Sequence, residues 1–119
     1  MLRSYRDLIV WQKSMMLVEE IYVATQQFPK EEVYGLISQI RRAAVSIPSN
    51  IAEGRLRGSR KEFKQFLSYA YGSGGELETQ IELSKRLFKS KNIDFTKVEQ
   101  LLNEVMKMLN TLIGTLHTS

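Results

Sequence analysis

The chain has 119 residues and no cysteine, so one domain is the default, and disulfides, thiolate metal sites and thiol catalysis are excluded at once. Seventeen Lys and Arg against thirteen Asp and Glu leave a net charge of +4, a mildly basic balance. The sole histidine, His117, lies close to the C-terminal end of the sequence, which removes the main ingredient of histidine triads, proton shuttles and His-rich metal centres. Uninterrupted apolar runs such as Leu8 to Trp11 are far below the roughly 18 residues a membrane span requires, and no secretory leader is recognisable. These features lead to the expectation of a cytoplasmic protein that does not enter membranes.

Apolar residues follow helical spacing in four segments. The first, over about 7–28, sets Leu8, Trp11, Met15, Val18, Tyr22 and Thr25 on one seam, with Asp7 as N-cap and Phe28-Pro29 as its close. The second, over about 34–54, carries Ile37, Ile40, Ala44, Ile47 and Ile51. Pro48 lies inside that seam and removes one helical hydrogen bond, yet Ile47 and Ile51 keep the register, so a bent but continuous helix is expected. The third, over about 59–89, opens with the capping-box pattern Ser59-Arg60-Lys61-Glu62 and continues through Phe63, Leu67, Ala70, Gly74, Leu77, Ile81, Ser84 and Phe88. Gly72, Gly74 and Gly75 weaken its centre by about 1 kcal/mol each relative to alanine. Gly74, on the seam, implies close approach of another helix, with a helix break as the alternative. The fourth, over about 95–116, follows Asp94 or Thr96 as cap and carries Val98, Leu102, Val105, Leu109, Leu112 and Leu116. Short links between these segments imply antiparallel neighbours, hence an all-α, up-down-up-down four-helix bundle forming a single domain over 1–119.

The chemistry-bearing residues are few. A di-metal carboxylate bundle needs inward glutamates and Glu-x-x-His pairs, and no such pair occurs, nor does any glutamate fall on a seam. Gly72-Ser-Gly-Gly75 lacks the lysine and preceding strand of a phosphate loop. No catalytic residue, metal or cofactor is therefore expected. The basic residues are more informative, because antiparallel connectivity gathers Arg3, Arg6, Arg55, Arg57, Arg60, Lys61 and Lys64 at one end of the bundle against Asp7, Glu53 and Glu62. Such a set is an electrostatic footprint for phosphate backbones, and equally a solvated helix end. No aromatic is expected to interleave with it as a single-strand stacking platform requires. Arg42 falls on the outer face of the second helix, while Arg41 flanks its seam, where Glu76 and Glu78 of the third helix are the expected ion-pair partners. Ile9 and Met16, like Leu101 and Met108, repeat at heptad spacing off the main seams. Second stripes of this kind point to a partner surface, most commonly another copy of the chain.

The stretch Gln39-Ile-Arg-Arg-Ala-Ala-Val-Ser-Ile-Pro-Ser-Asn-Ile-Ala-Glu-Gly54, with Asp7-Leu-Ile-Val-Trp11 before it and Glu62-Phe-Lys-Gln-Phe-Leu67 and Glu76-Leu-Glu-Thr-Gln80 after it, resembles the bacterial four-helix bundle family of 23S rRNA intervening-sequence proteins. The resemblance implies a cytoplasmic bacterial protein, an antiparallel bundle, assembly into a homopentameric ring, and a nucleic-acid-binding role without enzymatic activity. Gly75 departs from the larger residue or alanine expected there and puts the straightness of the third helix in question. The combined expectation is a non-enzymatic homo-oligomer that binds RNA or DNA through phosphate contacts carried by Arg41, Arg42, Arg55, Arg57, Arg60 and Lys61. A protein-interaction scaffold without nucleic-acid binding is the alternative.

Overall fold

A computed structural model describes residues 4–117, so Arg3 of the basic end lies outside the described residues. Four helices make up the fold: α1 (Ile9–Thr25), α2 (Leu36–Leu56), α3 (Arg60–Leu87) and α4 (Thr96–His117). Single 3-10 turns at Tyr5–Asp7, Lys30–Glu32 and Lys89–Lys91 precede α1 and join α1 to α2 and α3 to α4, and no strand occurs among the described residues. Trp11 and Ala52 share a groove with Val18 and Val45, so α1 and α2 run in opposite directions. The same sense relates α2 to α3 through Ser46 with Ser73 and Gly54 with Phe66, and α3 to α4 through Arg60 with Thr115 and Lys85 with Glu99. Packing of α1 on α4 closes the bundle.

The expected seams of α2, α3 and α4 form the core. Ile37, Ile40, Ala44, Ile47 and Ile51 are buried, as are Leu67, Ala70, Gly74, Leu77, Ile81 and Ser84, and Val98, Leu102, Val105 and Leu109. The seam expected for α1 needs correction. Its buried stripe is Val10, Ser14, Leu17, Ile21 and Ala24, with Phe28 beyond its end; of the expected seam Leu8 and Thr25 are buried, whereas Met15 and Tyr22 are 42% and 41% exposed. Both stripes have heptad spacing, and the one chosen passes through small Ser14 and Ala24, whose volumes suit close packing where Met15 and Tyr22 would not fit. Ser14 satisfies its hydroxyl on the Trp11 carbonyl and Thr25 on that of Ile21. Asp7 is likewise not the cap of α1. It belongs to the capping box of the preceding turn with Ser4, and Leu8 is the N-cap of α1.

Helix α2 is unbroken across Pro48, with Ile47 and Ile51 fully buried. The two residues after the proline bind back onto the turn before it: Ser49 Oγ donates to the Val45 carbonyl and Asn50 Nδ2 to that of Ser46, each at 2.8 Å. Helix α3 is also unbroken, which rules out a break at Gly74. A side-chain carbon at Gly74 would overlap the Met106 sulfur of α4, so the glycine marks a close helix approach as expected. At the far end of the bundle Phe28 meets Phe88 and Phe95 edge-on, with ring centroids 5.1 and 6.1 Å apart.

Candidate nucleic-acid interface at the α2–α3 turn

Three residues, Arg57, Gly58 and Ser59, reverse the chain between α2 and α3. Gly58 takes φ +85°, a left-handed conformation that terminates α2 without a Cβ clash. Ser59 then caps α3: its hydroxyl oxygen accepts from the Glu62 backbone N–H at 3.1 Å and its O–H donates to the Glu62 carboxylate at 3.1 Å. This turn brings Arg55, Arg57, Arg60, Lys61 and Lys64 into twelve residues, with Glu53 and Glu62 as the accompanying carboxylates.

The six expected site residues divide into different environments. Arg57 is anchored, donating to Glu53 at 2.9 Å, lying 3.7 Å from Glu62 and resting 5.0 Å from the centroid of the Phe66 ring. Arg60 reaches across to the Thr115 carbonyl of α4 at 3.5 Å, which ties the turn to the last helix. Arg55 and Lys61 are exposed and have no carboxylate partner among the described residues. Arg42 is exposed too, but fourteen and thirteen residues of helix separate Arg41 and Arg42 from Arg55, about 20 Å along the axis. The structure therefore does not bring all six into one patch.

Arg41 corrects a second expectation. Its partners are on α1 and not Glu76 or Glu78 of α3: Nε donates to Thr25 Oγ1 at 2.9 Å, a terminal nitrogen lies 3.5 Å from the Tyr22 carbonyl, and the guanidinium sits 4.3 Å from the Tyr22 ring centroid. The reason is the flank it occupies, in register with Val45, Pro48 and Ala52, which line the α1/α2 groove. There it faces the C-terminal carbonyls of α1, where the helix dipole favours a cation.

Aromatic residues also stand closer to the basic turn than expected. Phe66, under Arg57, packs edge-on against Tyr69 with centroids 5.4 Å apart, and Arg6 lies 5.5 and 6.0 Å from the Tyr5 and Trp11 rings. Phe66 and Tyr69 lie off the α3 core seam, so the seam count treats them only as surplus apolar residues and does not place them beside the cations. The signal was there in Lys61, Gln65 and Tyr69, which follow i, i+4, i+8 spacing along one helical stripe. No group of three or more His, Cys, Asp or Glu capable of holding a metal occurs among the described residues, and none of the described helices is long and apolar enough to cross a membrane.

Fold and site together define an antiparallel helical-bundle protein with a cation-rich turn between its second and third helices. The 23S rRNA-intervening sequence protein family matches residues 6–111, nearly the whole chain, and the chain belongs to that family. No curated protein matches it.

Proposed function

We propose that this protein is a non-enzymatic homo-oligomer that binds RNA or DNA through phosphate contacts at the α2–α3 turn. The observation that carries the reading is the concentration of five cations against two carboxylates between residues 53 and 64, with both carboxylates already engaged by Arg57. Arg55 and Lys61 are thereby left to present positive charge to solvent, and Arg60 adds donors beside them. Such groups bind backbone oxygens as forks or point charges and position a strand without reading its bases. Arg42 contributes a separate cation further along α2, and Arg41 acts mainly as a structural contact.

Self-assembly rests on α1. Ile9, Met16 and Val23, at heptad spacing, are 57%, 49% and 55% exposed on one flank, and Met15 and Tyr22 are exposed on another. Apolar flanks left open on either side of the polar Gln12 and Glu19 mark a partner surface. A shallow apolar groove of about 500 Å³ between α1 and α4, lined by Leu8, Ile9, Val10, Met108 and Leu112, extends the first of these flanks. A closed pentameric ring buries such surfaces through heterologous contacts and repeats the basic turn five times, so that weak sites act with avidity. The same exposed flanks favour a second reading, a scaffold that binds a protein partner.

Salt separates the two readings. With labelled RNA and DNA titrated across ionic strength, an Arg55→Gln/Arg60→Gln/Lys61→Gln variant should bind unrelated sequences about equally less well. Its plot of log affinity against log salt should flatten by about 2–3, at about 0.7–0.9 for each of the three lost phosphate contacts. An unchanged slope, or no saturable binding by the parent protein at low salt, leaves the scaffold reading.

A further inference from the structure

An exposed aromatic adjoins the cationic turn and is held rigidly. Tyr69 is 49% exposed, its ring is fixed edge-on to Phe66 at an interplanar angle of 80°, and its hydroxyl accepts from Gln65 Nε2 at 2.7 Å. Phe66 is itself clamped from two sides. Arg57 rests on its ring, and α2 approaches so closely at Gly54 that a side-chain carbon there would lie 2.5 Å from the Phe66 Cβ. The carboxylates of Glu53 and Glu62, which would otherwise repel a phosphate strand at this point, are taken up by Arg57. From Lys61 through Gln65 to Tyr69 an exposed stripe follows α3 for about 12 Å, a distance that a strand of a few nucleotides covers.

We infer that the turn takes single-stranded nucleic acid, with Tyr69 as the platform on which an unpaired base stacks while Lys61, on the same exposed stripe of α3, holds a phosphate of the strand. This inference rests on the phosphate-binding reading and adds to it the class of strand. A duplex keeps its base faces stacked inside and offers Tyr69 only an edge or a sugar, whereas an unpaired base has a free face that every base type supplies. The ring loses little freedom on binding because Phe66 and Gln65 already orient it, so stacking is not offset by a large ordering cost. Base identity is read weakly, since no hydrogen-bonding group is fixed opposite the platform.

The test uses the full chain with labelled oligo-U, oligo-dT and a mixed-sequence duplex of the same length, at one low salt concentration and then across salt. The parent protein should prefer the single strands. Tyr69→Ala should weaken single-strand binding by about fivefold or more, leave duplex binding unchanged and leave the salt slope unaltered, because no phosphate contact is removed. Tyr69→Phe keeps the ring, loses only the bond to Gln65, and should stay within about twofold of the parent; its retained binding also shows that the site remains assembled. Equal single-strand affinity of Tyr69→Ala and parent, or a duplex preference in the parent, overturns the stacking role even where the cation variant loses binding and the phosphate reading stands. Absence of binding to every probe at low salt overturns both.

Discussion

Alanine substitution should divide the helical glycines into groups of opposite sign. In a helix interior alanine is favoured over glycine by about 0.5–1 kcal/mol, chiefly through the entropy of the unfolded backbone. At Gly72 and Gly75 an added Cβ meets nothing within 4 Å, so Gly72→Ala and Gly75→Ala should each realise that gain, about 1–2 kcal/mol together. At Gly54 the added carbon would stand 2.5 Å from Phe66 Cβ, 3.3 Å from Phe63 Cδ1 and 3.4 Å from the Phe63 carbonyl oxygen. Two of those atoms are backbone or attached directly to it, so relief requires α2 and α3 to separate. Overpacking of this kind costs about 1–3 kcal/mol, which exceeds the helix gain and leaves Gly54→Ala less stable by about 1–2 kcal/mol. Gly74 falls between, because the obstructing atoms are the sulfur and methyl of Met106, the mobile end of a flexible side chain that can rotate aside. Urea unfolding at one fixed protein concentration measures the series and keeps any assembly equilibrium constant. A Gly54→Ala protein as stable as Gly72→Ala would refute the close approach of α2 and α3, and destabilisation at Gly72 or Gly75 would show that another surface covers the outer face of α3.

Three further outcomes are expected. Arg41→Ala should lose about 1–2 kcal/mol, with its bond to Thr25 and its place on the Tyr22 ring, and should leave nucleic-acid affinity unchanged; Arg41→Lys should not restore the stability, lacking the planar fork, and a drop in affinity at constant stability would reverse this assignment. Asp94 accepts from the hydroxyl and the backbone N–H of Thr96, with Lys97 adding attraction, and these hold its carboxyl below the usual 3.8. The folded pKa being depressed, the contribution is fully present above the unfolded value and disappears as pH falls through the lower folded value; a carboxyl NMR titration of Asp94 at or above 3.8 would contradict it. Met16→Glu with Val23→Glu should reduce the assembly to a helical single chain of 13.8 kDa in light scattering, since both side chains are half-exposed in the isolated bundle, and an unchanged assembly mass would clear α1 of the interface.

Helices α2, α3 and α4 were legible because each carries one dominant apolar stripe, the second stripe of Leu101 and Met108 in α4 being far shorter than its main seam. In α1 the heptad count has two solutions. Trp11, Met15, Val18 and Tyr22 outscore Val10, Ser14, Leu17, Ile21 and Ala24 in bulk, yet the bundle buries the second set, and hydropathy alone carries no term for how much volume the interior accepts. The basic turn was visible as a run of charge between residues 53 and 64. Its division was not, because whether an arginine is spent on a carboxylate, an aromatic ring or a helix end depends on the flank it occupies. Arg41 and Arg42 are adjacent in the chain, and one is fastened to α1 while the other is exposed. Tyr69 escaped for a related reason: a seam count identifies what faces inward, whereas the spacing of Lys61, Gln65 and Tyr69 marks an outward stripe.

The closure of α1 onto α4 has a kinetic consequence. Lys13 meets Glu104 across 91 residues of sequence, whereas the other three helix pairs are hairpins of neighbours in the chain. Closing so long a loop costs more entropy than forming a hairpin, so α1–α4 docking is expected to come late, leaving α1, the most apolar of the four helices, to wait longest for its second neighbour. Until then its Val10, Leu17 and Ile21 side chains have cover only from α2. The fourth helix thus completes the first, and one long-range pairing joins three local hairpins into a closed bundle.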